Sequence, residues 1–423
     1  MNIISVLNFR YKLQDFCYKA ATFVTFGGNE TIVVDILPRS GALPVCSICH
    51  KPAQKSGYIS THARMFRFVS IWDIPVEFRY RMRRCYCSHC NKRVVEEVPW
   101  AHGKMQTCKP LDVLIAKTAK EASWQKTKEA FDVSWKTVSR SVSTIVEEGL
   151  KKRNLDNVTA IGVDEVAWKT GHEYITLVYQ IDKSKRRLLW IGQDRTKATL
   201  EAFFDEMESE SPGFASRLEV ICSDMWQAYR TVCAIRAPQA KNVLDKYHIM
   251  TFFSKAMDDI RRAEVKRLGN SDRGKVLVHS RFVLLKRREH LTEKGQFKLK
   301  ELMRLNTKPY KAYLLIEQFC LFWDCMSVEE ARKFFLRWYR TVRRTRQTEL
   351  KKIAENLRNN LELLLNYFRT GKQYSSGIVE GQNRIVNLVI RKAFGFRSFK
   401  ITQVALFHSL GGLKMPEVYS KFA

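Results

Sequence analysis

The sequence predicts a multidomain α+β protein, and three observations lead to this fold class. Cysteine pairs with two-residue spacing lie in a stretch rich in β-branched and aromatic residues. Helical periodicity follows, and strand-like apolar runs then alternate with helical stretches. A chain of 423 residues with 45% hydrophobic residues is long enough for roughly two to four domains with substantial cores.

The charge balance indicates the kind of partner. The chain carries 73 Lys and Arg against 43 Asp and Glu, a net charge of +30, which predicts a polyanionic partner whose binding weakens as salt rises. Apolar runs fall short of the roughly 18 residues that span a bilayer. The segment Met1–Arg10 has no basic region before an apolar core. We therefore expect a cytoplasmic protein with no membrane partner.

The first predicted domain, residues 1–100, holds a zinc ribbon at about 40–98. After an irregular or β-rich leader, Cys46-x-x-Cys49 and Cys87-x-x-Cys90 can each present two thiolates from a tight turn to a structural Zn²⁺. Cys85 and His89 are alternative ligands, although the paired spacing favours Cys87 and Cys90. The eleven cysteines favour reduced thiols over a disulfide framework. The predicted core thiols are Cys17, Cys108, Cys222, Cys233, Cys320 and Cys325.

Residues 105–153 predict a helix-turn-helix domain. Ser134 follows a turn and can cap the helix that begins at Trp135. Apolar residues at helical spacing would face inward, and polar residues would face a DNA groove. The inward residues are Val138, Val142 and Ile145, and the outward residues are Ser134, Lys136, Thr137, Ser139, Arg140 and Ser143. Of these we expect Lys136, Thr137 and Arg140 to bind DNA.

Residues 157–250 predict a mixed α/β sheet, since three strands in a meander are followed by alternating helices and strands. The predicted strands are Val158–Asp164, Tyr174–Asp182, Arg187–Gly192, Leu218–Asp224 and Asn242–Asp245, and the helices are Leu200–Met207 and Trp226–Ile235. Asp164 and Asp224 each close a buried strand, and the two strands could be neighbours. A strand-end Asp alone is more often a turn former or a helix cap.

Glu380 is the third acidic residue of interest, because it stands where a helical stretch begins. Between the predicted sheet and Glu380, the sequence of residues 250–371 (approximate bounds) predicts a basic, almost wholly helical insertion. Carboxylates that converge from two strand ends and a helix suit two Mg²⁺ ions, or Mn²⁺, because oxygen ligands hold hard cations. We expect a basic protein with such a site to cut or join nucleic acid. Glu165, on the other side of its strand from Asp164, is interpreted as a supporting residue.

Longer motifs extend this interpretation. They are Cys46-x-x-Cys49 with Cys87-x-x-Cys90, Val163-Asp-Glu-Val-Ala-Trp-Lys-Thr-Gly-His-Glu-Tyr174, Ser223-Asp-Met-Trp-Gln-Ala-Tyr229, Leu244-Asp-Lys-Tyr-His248, Ser375-Ser-Gly-Ile-Val-Glu-Gly-Gln-Asn383 and Lys392-Ala-Phe-Gly-Phe396. Over nearly all its length the chain resembles the ISL-three family of bacterial insertion-sequence transposases. That family belongs to the Asp-Asp-Glu class, with a ribonuclease-H-like catalytic fold.

The resemblance implies a role for each part of the chain. Asp164, Asp224 and Glu380 would be the catalytic metal ligands, and Asp245 and His248 would be further catalytic residues beside them. The catalytic domain would cover 157–423 and be interrupted by the helical insertion. The zinc ribbon and the helix-turn-helix would recognise the terminal inverted repeats of the element.

The function expected from this resemblance is metal-dependent DNA strand cleavage and strand transfer. The partners would be double-stranded DNA, as element ends and as target, and further copies of the chain, in a nucleoid-associated location. A basic stripe after Glu380 would hold the DNA backbone. Its members are Arg384, Arg391, Lys392 and Arg397.

Two points remain open at this stage. Trp323 and Trp338 of the insertion could stack on an unpaired base, although core packing is favoured. The competing functions are a DNA-binding regulator derived from a transposase, and a structure-specific nuclease of the same fold.

Overall fold

The computed structural model describes residues 2–26, 28–59, 62–169, 171, 173–374, 377–393 and 395–416. Some residues of the quoted motifs lie outside the described residues, namely Thr170, His172, Ser375, Ser376 and Phe394. The chain forms two compact units, one made of residues 1–153 together with the described residues after Arg391, and the other of residues 154–391. In the described part of the chain, no helix combines the length and the apolar character needed to cross a bilayer.

The first unit begins with a helix and two β-sheets. Its elements are α1 (Ile3–Arg10), β1 (Phe16–Phe26), β2 (Asn29–Pro38), β3 (Val45–Cys46), β4 (Gln54–Tyr58), β5 (Arg64–Arg67), β6 (Val76–Tyr80), β7 (Arg83–Cys87) and β8 (Lys92–Glu97). The sheet orders are β1–β2–β6–β5 and β3–β8–β7–β4. The leader predicted as irregular or β-rich is thus mostly a hairpin, β1–β2, preceded by α1, whose first turn Asn2 caps by accepting from the Ser5 backbone amide.

A helical region completes the N-terminal part of this unit. It consists of α2 (Lys109–Glu121), α3 (Trp124–Ala130) and α4 (Trp135–Lys151). Ser134 caps α4 by accepting a 3.0 Å hydrogen bond from the Thr137 amide, and Val138, Val142 and Ile145 are buried. The turn between α3 and α4 contains Asp132 in a left-handed conformation. These are the helices that the periodicity indicates.

The second unit is built around a mixed sheet. Its strands are β9 (Ala160–Lys169), β10 (Glu173–Gln180), β11 (Arg187–Gln193), β12 (Val220–Ser223) and β13 (Lys241–Leu244), in the order β11–β10–β9–β12–β13. The first three pair antiparallel, while β12 runs parallel to both β9 and β13. One face packs against α5 (Lys197–Glu210) and α6 (Gln227–Arg236), with Phe203 and Tyr229 fully buried.

The rest of the second unit is helical. The helices are α7 (Lys246–Leu268), α8 (Asp272–Val278), α9 (Arg281–Leu284), α10 (Glu293–Leu305), α11 (Lys308–Cys320), α12 (Val328–Arg343), α13 (Thr348–Asn359), α14 (Leu361–Arg369) and α15 (Gly377–Lys392). Aromatic rings fill their core, where Phe319 and Trp338 lie 4.7 Å apart between centroids. Trp323 and Trp338 are buried, so the core-packing interpretation favoured for them holds.

A final helix, α16 (Phe399–Leu410), packs against α4 within the first unit. This grouping differs from the domain boundary expected from sequence, which placed all of 157–423 in one catalytic domain. The helix is apolar on most sides and therefore buries residues such as Leu406 and Phe407.

Candidate active site and metal centre

The strand register brings three acidic residues to one level of the sheet. Cys222 of β12 pairs with Gly162 of β9, and Ser223 pairs with Leu244 of β13. Asp164, Asp224 and Asp245 each stand beyond these paired residues, at the carboxyl ends of the parallel pairings. Sites of α/β sheets commonly lie at this edge.

The structure corrects one detail of the sequence prediction. Asp164 does not end its strand, because β9 continues to Lys169, which pairs with Glu173 of β10. Asp164 lies beyond the part of β9 that pairs with β12, while the antiparallel ladder with β10 carries the strand further. The apolar run of β9 ends at the point where the strand is no longer buried on both faces. The sequence pattern therefore located the edge of the site at Asp164, but it did not show that β9 continues.

Asp164 is held by a side chain that the sequence analysis did not single out. Its Oδ2 accepts a 2.6 Å hydrogen bond from Nδ2 of Asn383, whose Oδ1 accepts a 2.7 Å bond from the Tyr179 hydroxyl. Helix α15, which carries Asn383, lies directly against β9. A Cβ at Gly162 would come within 2.5 Å of Val379, so only glycine permits this approach. Asn383 therefore fixes the Asp164 carboxylate against α15.

The acidic residues influence one another electrostatically. Burial raises the pKa of Asp164 to about 6, and the negative charges of Asp245 and Asp224 contribute to that rise. Burial also raises the pKa of Asp224. The His248 cation acts in the opposite direction and lowers the pKa of both groups. Such a concentration of partly buried negative charge is what a bound cation would stabilise.

His248 is paired with Asp245 at the start of α7. Asp245 caps the helix through Oδ1, which accepts from the amides of Tyr247 at 2.6 Å and His248 at 3.3 Å. Its Oδ2 accepts a 2.7 Å bond from Nδ1 of His248, and this bond raises the pKa of the imidazole to about 9. His248 is therefore a cation at neutral pH beside the acidic residues, and Asp245 both caps the helix and orients the imidazole.

Glu380 lies in the first turn of α15, one residue after Val379. Its Oε1 accepts a 2.7 Å hydrogen bond from the exposed Arg384 on the next turn. Across the described residues, the acids Asp164, Asp224 and Glu380 do not bring their oxygens within 4.8 Å of one another, whereas one group of cysteines meets that condition. The structure thus places Glu380 on the helix that packs over Asp164, without closing the three carboxylates into one cluster.

Glu165 lies on the face of β9 opposite Asp164, toward α6, and its supporting role stays a prediction. Its carboxylate lies beside Tyr229 of α6, whose hydroxyl lies 2.7 Å from Oγ1 of Thr176. Burial and the nearby charges of Asp224 and Asp164 raise the pKa of Glu165 to about 7. Glu165 and Tyr229 therefore connect β9 to the helix that follows Asp224.

The cysteine cluster lies in the first unit. The sulfur atoms of Cys46, Cys49, Cys87 and Cys90 all lie within 4.8 Å of one another, and Cys49 Sγ is 3.5 Å from Cys87 Sγ. Hydrogen bonds from the backbone near Cys49 and Ile48 lower the pKa of Cys46 to about 7, which favours the thiolate that binds metal. Cys85 instead directs its thiol at the Val94 carbonyl, 3.6 Å away. The donor set therefore fits a tetrahedral Zn²⁺.

The cationic residues expected to bind DNA are accessible. Lys136 and Arg140 are exposed near the start of α4, and Thr137 is half-buried there. Arg384, Arg391, Lys392 and Arg397 are also exposed. Arg384 is engaged with Glu380, so its charge is partly committed within α15.

Together the fold and site define a mixed α/β protein that carries a partly buried acidic site and, in its other unit, a cysteine cluster able to hold a zinc ion. The model of the ISL3 (ISL-three) family, described as a transposase family, matches residues 161–406. The chain belongs to this transposase family, and the family is one of DNA-processing enzymes.

Curated relatives agree with this assignment. The chain is 25% identical to the transposase for insertion sequence element IS1001 of Bordetella parapertussis, over 80% of this chain and 82% of that protein. It is 26% identical to the transposase for insertion sequence element IS1557 of Mycobacterium tuberculosis, over 88% of this chain and 87% of that protein. Among solved structures, the Drosophila P element transposase strand transfer complex matches with a TM-score of 0.41 and 10% identity, over 73% of this chain and 92% of that chain.

Proposed function

We propose that the protein binds the terminal inverted repeats of its own insertion sequence and catalyses metal-dependent DNA strand cleavage and strand transfer. The observation that carries this proposal is the alignment of Asp164 and Asp224 at one edge of the sheet, with Glu380 on α15, the helix that packs against β9 and Asp164. The sheet order β11–β10–β9–β12–β13, with three antiparallel strands followed by parallel ones, supports the ribonuclease-H-like catalytic fold.

Asp164, Asp224 and Glu380 would hold two Mg²⁺ or Mn²⁺ ions. When bound, such ions activate a water or a 3′-hydroxyl and stabilise the leaving 3′-oxygen of an in-line displacement. Asn383 keeps Asp164 oriented through its 2.6 Å bond. His248 supplies a fixed positive charge suited to a DNA phosphate near the carboxylates.

Glu380 must move for this to happen. Its oxygen is bound to Arg384, and the three carboxylates are not within 4.8 Å of one another. The Arg384 side chain is 78% exposed, so its ion pair with Glu380 contributes little free energy. Replacing that ion pair with one to a DNA phosphate would therefore cost little free energy. We propose that a DNA phosphate binds Arg384 in place of Glu380, and that the freed Glu380 carboxylate can then bind the cations.

Recognition of the element ends is assigned to the first unit. Lys136, Thr137 and Arg140 at the start of α4 stand where a recognition helix presents its base-reading residues. The four cysteines would hold a structural Zn²⁺ that stabilises the small sheet formed by β3, β8, β7 and β4. Exposed Arg391, Lys392 and Arg397 would bind the DNA backbone.

The experiment is strand cleavage of a labelled DNA fragment that carries the element's own end, in Mg²⁺. We expect the wild type to cut at the end of the element, and Asp164→Asn, Asp224→Asn and Glu380→Gln to lose at least about 1,000-fold in rate while they still bind. Asp156→Asn, an exposed acid in the same unit, is the matched control and should cut normally.

Other outcomes would favour the competing functions. Specific binding of the end without cutting by the wild type would favour the regulator. Cutting of branched or flapped DNA without preference for the end would favour the nuclease.

A further inference from the structure

A cavity of about 340 Å³ lies between α7 and α13 in the second unit. Met225 and Phe252 line it, and so do Lys255, Lys352 and Asn356. Nothing in the proposed function uses this cavity. One of its lining residues, Met225, connects it to the acidic site.

The position follows from the chain itself. Met225 directly follows Asp224, so the cavity begins one residue from a proposed metal ligand. On α7, His248, Phe252 and Lys255 have spacings of four and three residues, which places them on one face of the helix. This face therefore runs from the imidazole beside the carboxylates into the cavity. A DNA strand whose phosphate lies at the carboxylates has its neighbouring nucleotide within reach of this cavity.

The lining offers the groups that bind a nucleotide. The Phe252 ring is 41% exposed and lies outside the buried core of the helices. Asn356 accepts a hydrogen bond at Oδ1 from Asn360, which leaves its amide N–H groups for a ligand. The cavity also contains two acids, Asp259 and Glu349, and Asp259 is paired with Arg262. Lys255 and Lys352 provide two ammonium groups for phosphate.

We propose that this cavity takes one unpaired base of the DNA end, next to the phosphate that is cut, and that Phe252 stacks on it. The inference rests on the proposed function. Aromatic rings bind bases of any sequence by stacking, and lysines hold the flanking phosphates. Trp323 and Trp338, the aromatic residues first considered for this role, are buried and cannot act in it. A base extruded here would fix the position of the scissile phosphate relative to Asp224.

The test combines a change of the Phe252 side chain with removal of the base on which it is proposed to stack. Cleavage rates are measured on the element end with each nucleotide that flanks the cut replaced in turn by an abasic nucleotide. With intact DNA, Phe252→Ala should cut roughly 5- to 100-fold more slowly than the wild type. At one position the abasic substrate should remove this difference, because no base remains to stack. Phe252→Tyr should restore the rate on intact DNA.

Two further measurements separate this role from a general defect. Phe282→Ala, which removes another exposed phenylalanine of the helical region, should cut at the wild-type rate. With Ca²⁺ in place of Mg²⁺, 2-aminopurine at the identified position should become more fluorescent on binding wild type and should not do so with Phe252→Ala.

The inference is overturned if Phe252→Ala cuts intact DNA as the wild type does, or if its defect is the same on intact DNA and on every abasic substrate. Failure of the wild type to cut any element end would instead overturn the proposed function. The two failures are therefore distinguishable.

Discussion

The cysteine cluster and the acidic site are both assigned to metal ions, yet the protein builds them differently. The cluster comes from two local Cys-x-x-Cys turns, and its four sulfur atoms already lie within 4.8 Å of one another. The acidic site collects Asp164, Asp224 and Glu380 from distant parts of the chain, and their carboxylates are held by Asn383, by the Trp226 amide and by Arg384.

The two arrangements indicate what each ion is expected to do. Four thiols packed this closely gain most when a cation joins them, so the proposed Zn²⁺ would contribute to folding. The carboxylates each have a protein partner and remain separate without a cation, so the proposed Mg²⁺ would take part in the reaction and not in folding. Loss of metal should therefore unfold the small sheet β3–β8–β7–β4 around the cysteine cluster, and should inactivate the acidic site without unfolding it.

Breaking the cysteine cluster should have the largest effect. Cys87→Ser removes one of four thiolates and should lose the Zn²⁺, with a cost to the first unit of up to about 10 kcal/mol. Zinc content by elemental analysis and resistance to limited proteolysis measure this. Cys85→Ser is the matched control, because Cys85 is buried beside the cluster but bonds to Val94. Loss of zinc from Cys85→Ser alone would contradict the assigned ligand set.

Removing the residue that holds Asp164 should affect the reaction and leave the fold intact. Asn383→Ala should slow strand cleavage roughly 10- to 100-fold, because supporting hydrogen bonds of metal ligands commonly contribute that much. Single-turnover cleavage measures it, with Asn387→Ala, exposed one turn further along α15, as control. Equal rates for Asn383→Ala and the control would show that Asn383 does not position Asp164.

The titration of His248 gives a smaller, pH-dependent effect. Its folded pKa, about 9, lies above the ordinary value of 6.5. Protonated His248 therefore stabilises the folded state fully below about pH 6.5, and this stabilisation is lost as the pH rises through about 9. Half-exposed as it is, His248 should contribute about 1 kcal/mol. Urea unfolding at about pH 7 and about pH 10 should show less pH dependence in His248→Gln than in wild type. His290→Gln, exposed elsewhere, should retain the wild-type dependence.

The smallest effect concerns recognition. Lys136→Ala should weaken binding to the element end by roughly three- to fivefold and reduce the slope of log affinity against log salt by about one, because one phosphate contact is lost. Cleavage by protein already bound to DNA should be unchanged. Fluorescence anisotropy over a salt series measures the slope, and Lys117→Ala on α2 is the control. A loss of cleavage at saturating protein would contradict the division of labour between the two units.

Much of this architecture could be predicted because its signals are local. The two-residue spacing of Cys46 and Cys49, the cap at Ser134 and the apolar runs of β9 and β12 each depend on residues that are near in sequence. The family resemblance then linked Asp164, Asp224 and Glu380, whose roles remain a proposal.

The rest depends on contacts that no local pattern encodes. The bond from Asn383 to Asp164 needs the packing of α15 on Gly162, which joins residues more than 200 positions apart. The only available signal was that Asn383 follows Glu380 by three residues, on the same face of a helix. Helix α1 was missed because its sequence is not amphipathic and its cap, Asn2, is a weak signal by itself. The place of α16 beside α4 likewise follows from tertiary packing.

We propose that Asp164, Asp224 and Glu380 surround a catalytic cation when the protein is bound to DNA. Iron-mediated cleavage of the protein tests it directly, because Fe²⁺ that replaces Mg²⁺ generates hydroxyl radicals that cut the nearby backbone. In the DNA complex we expect cuts in β9, after β12 and in the first turn of α15, and we expect Asp164→Asn to abolish all three. Cuts confined to other segments, or cuts that persist in Asp164→Asn, would contradict the account.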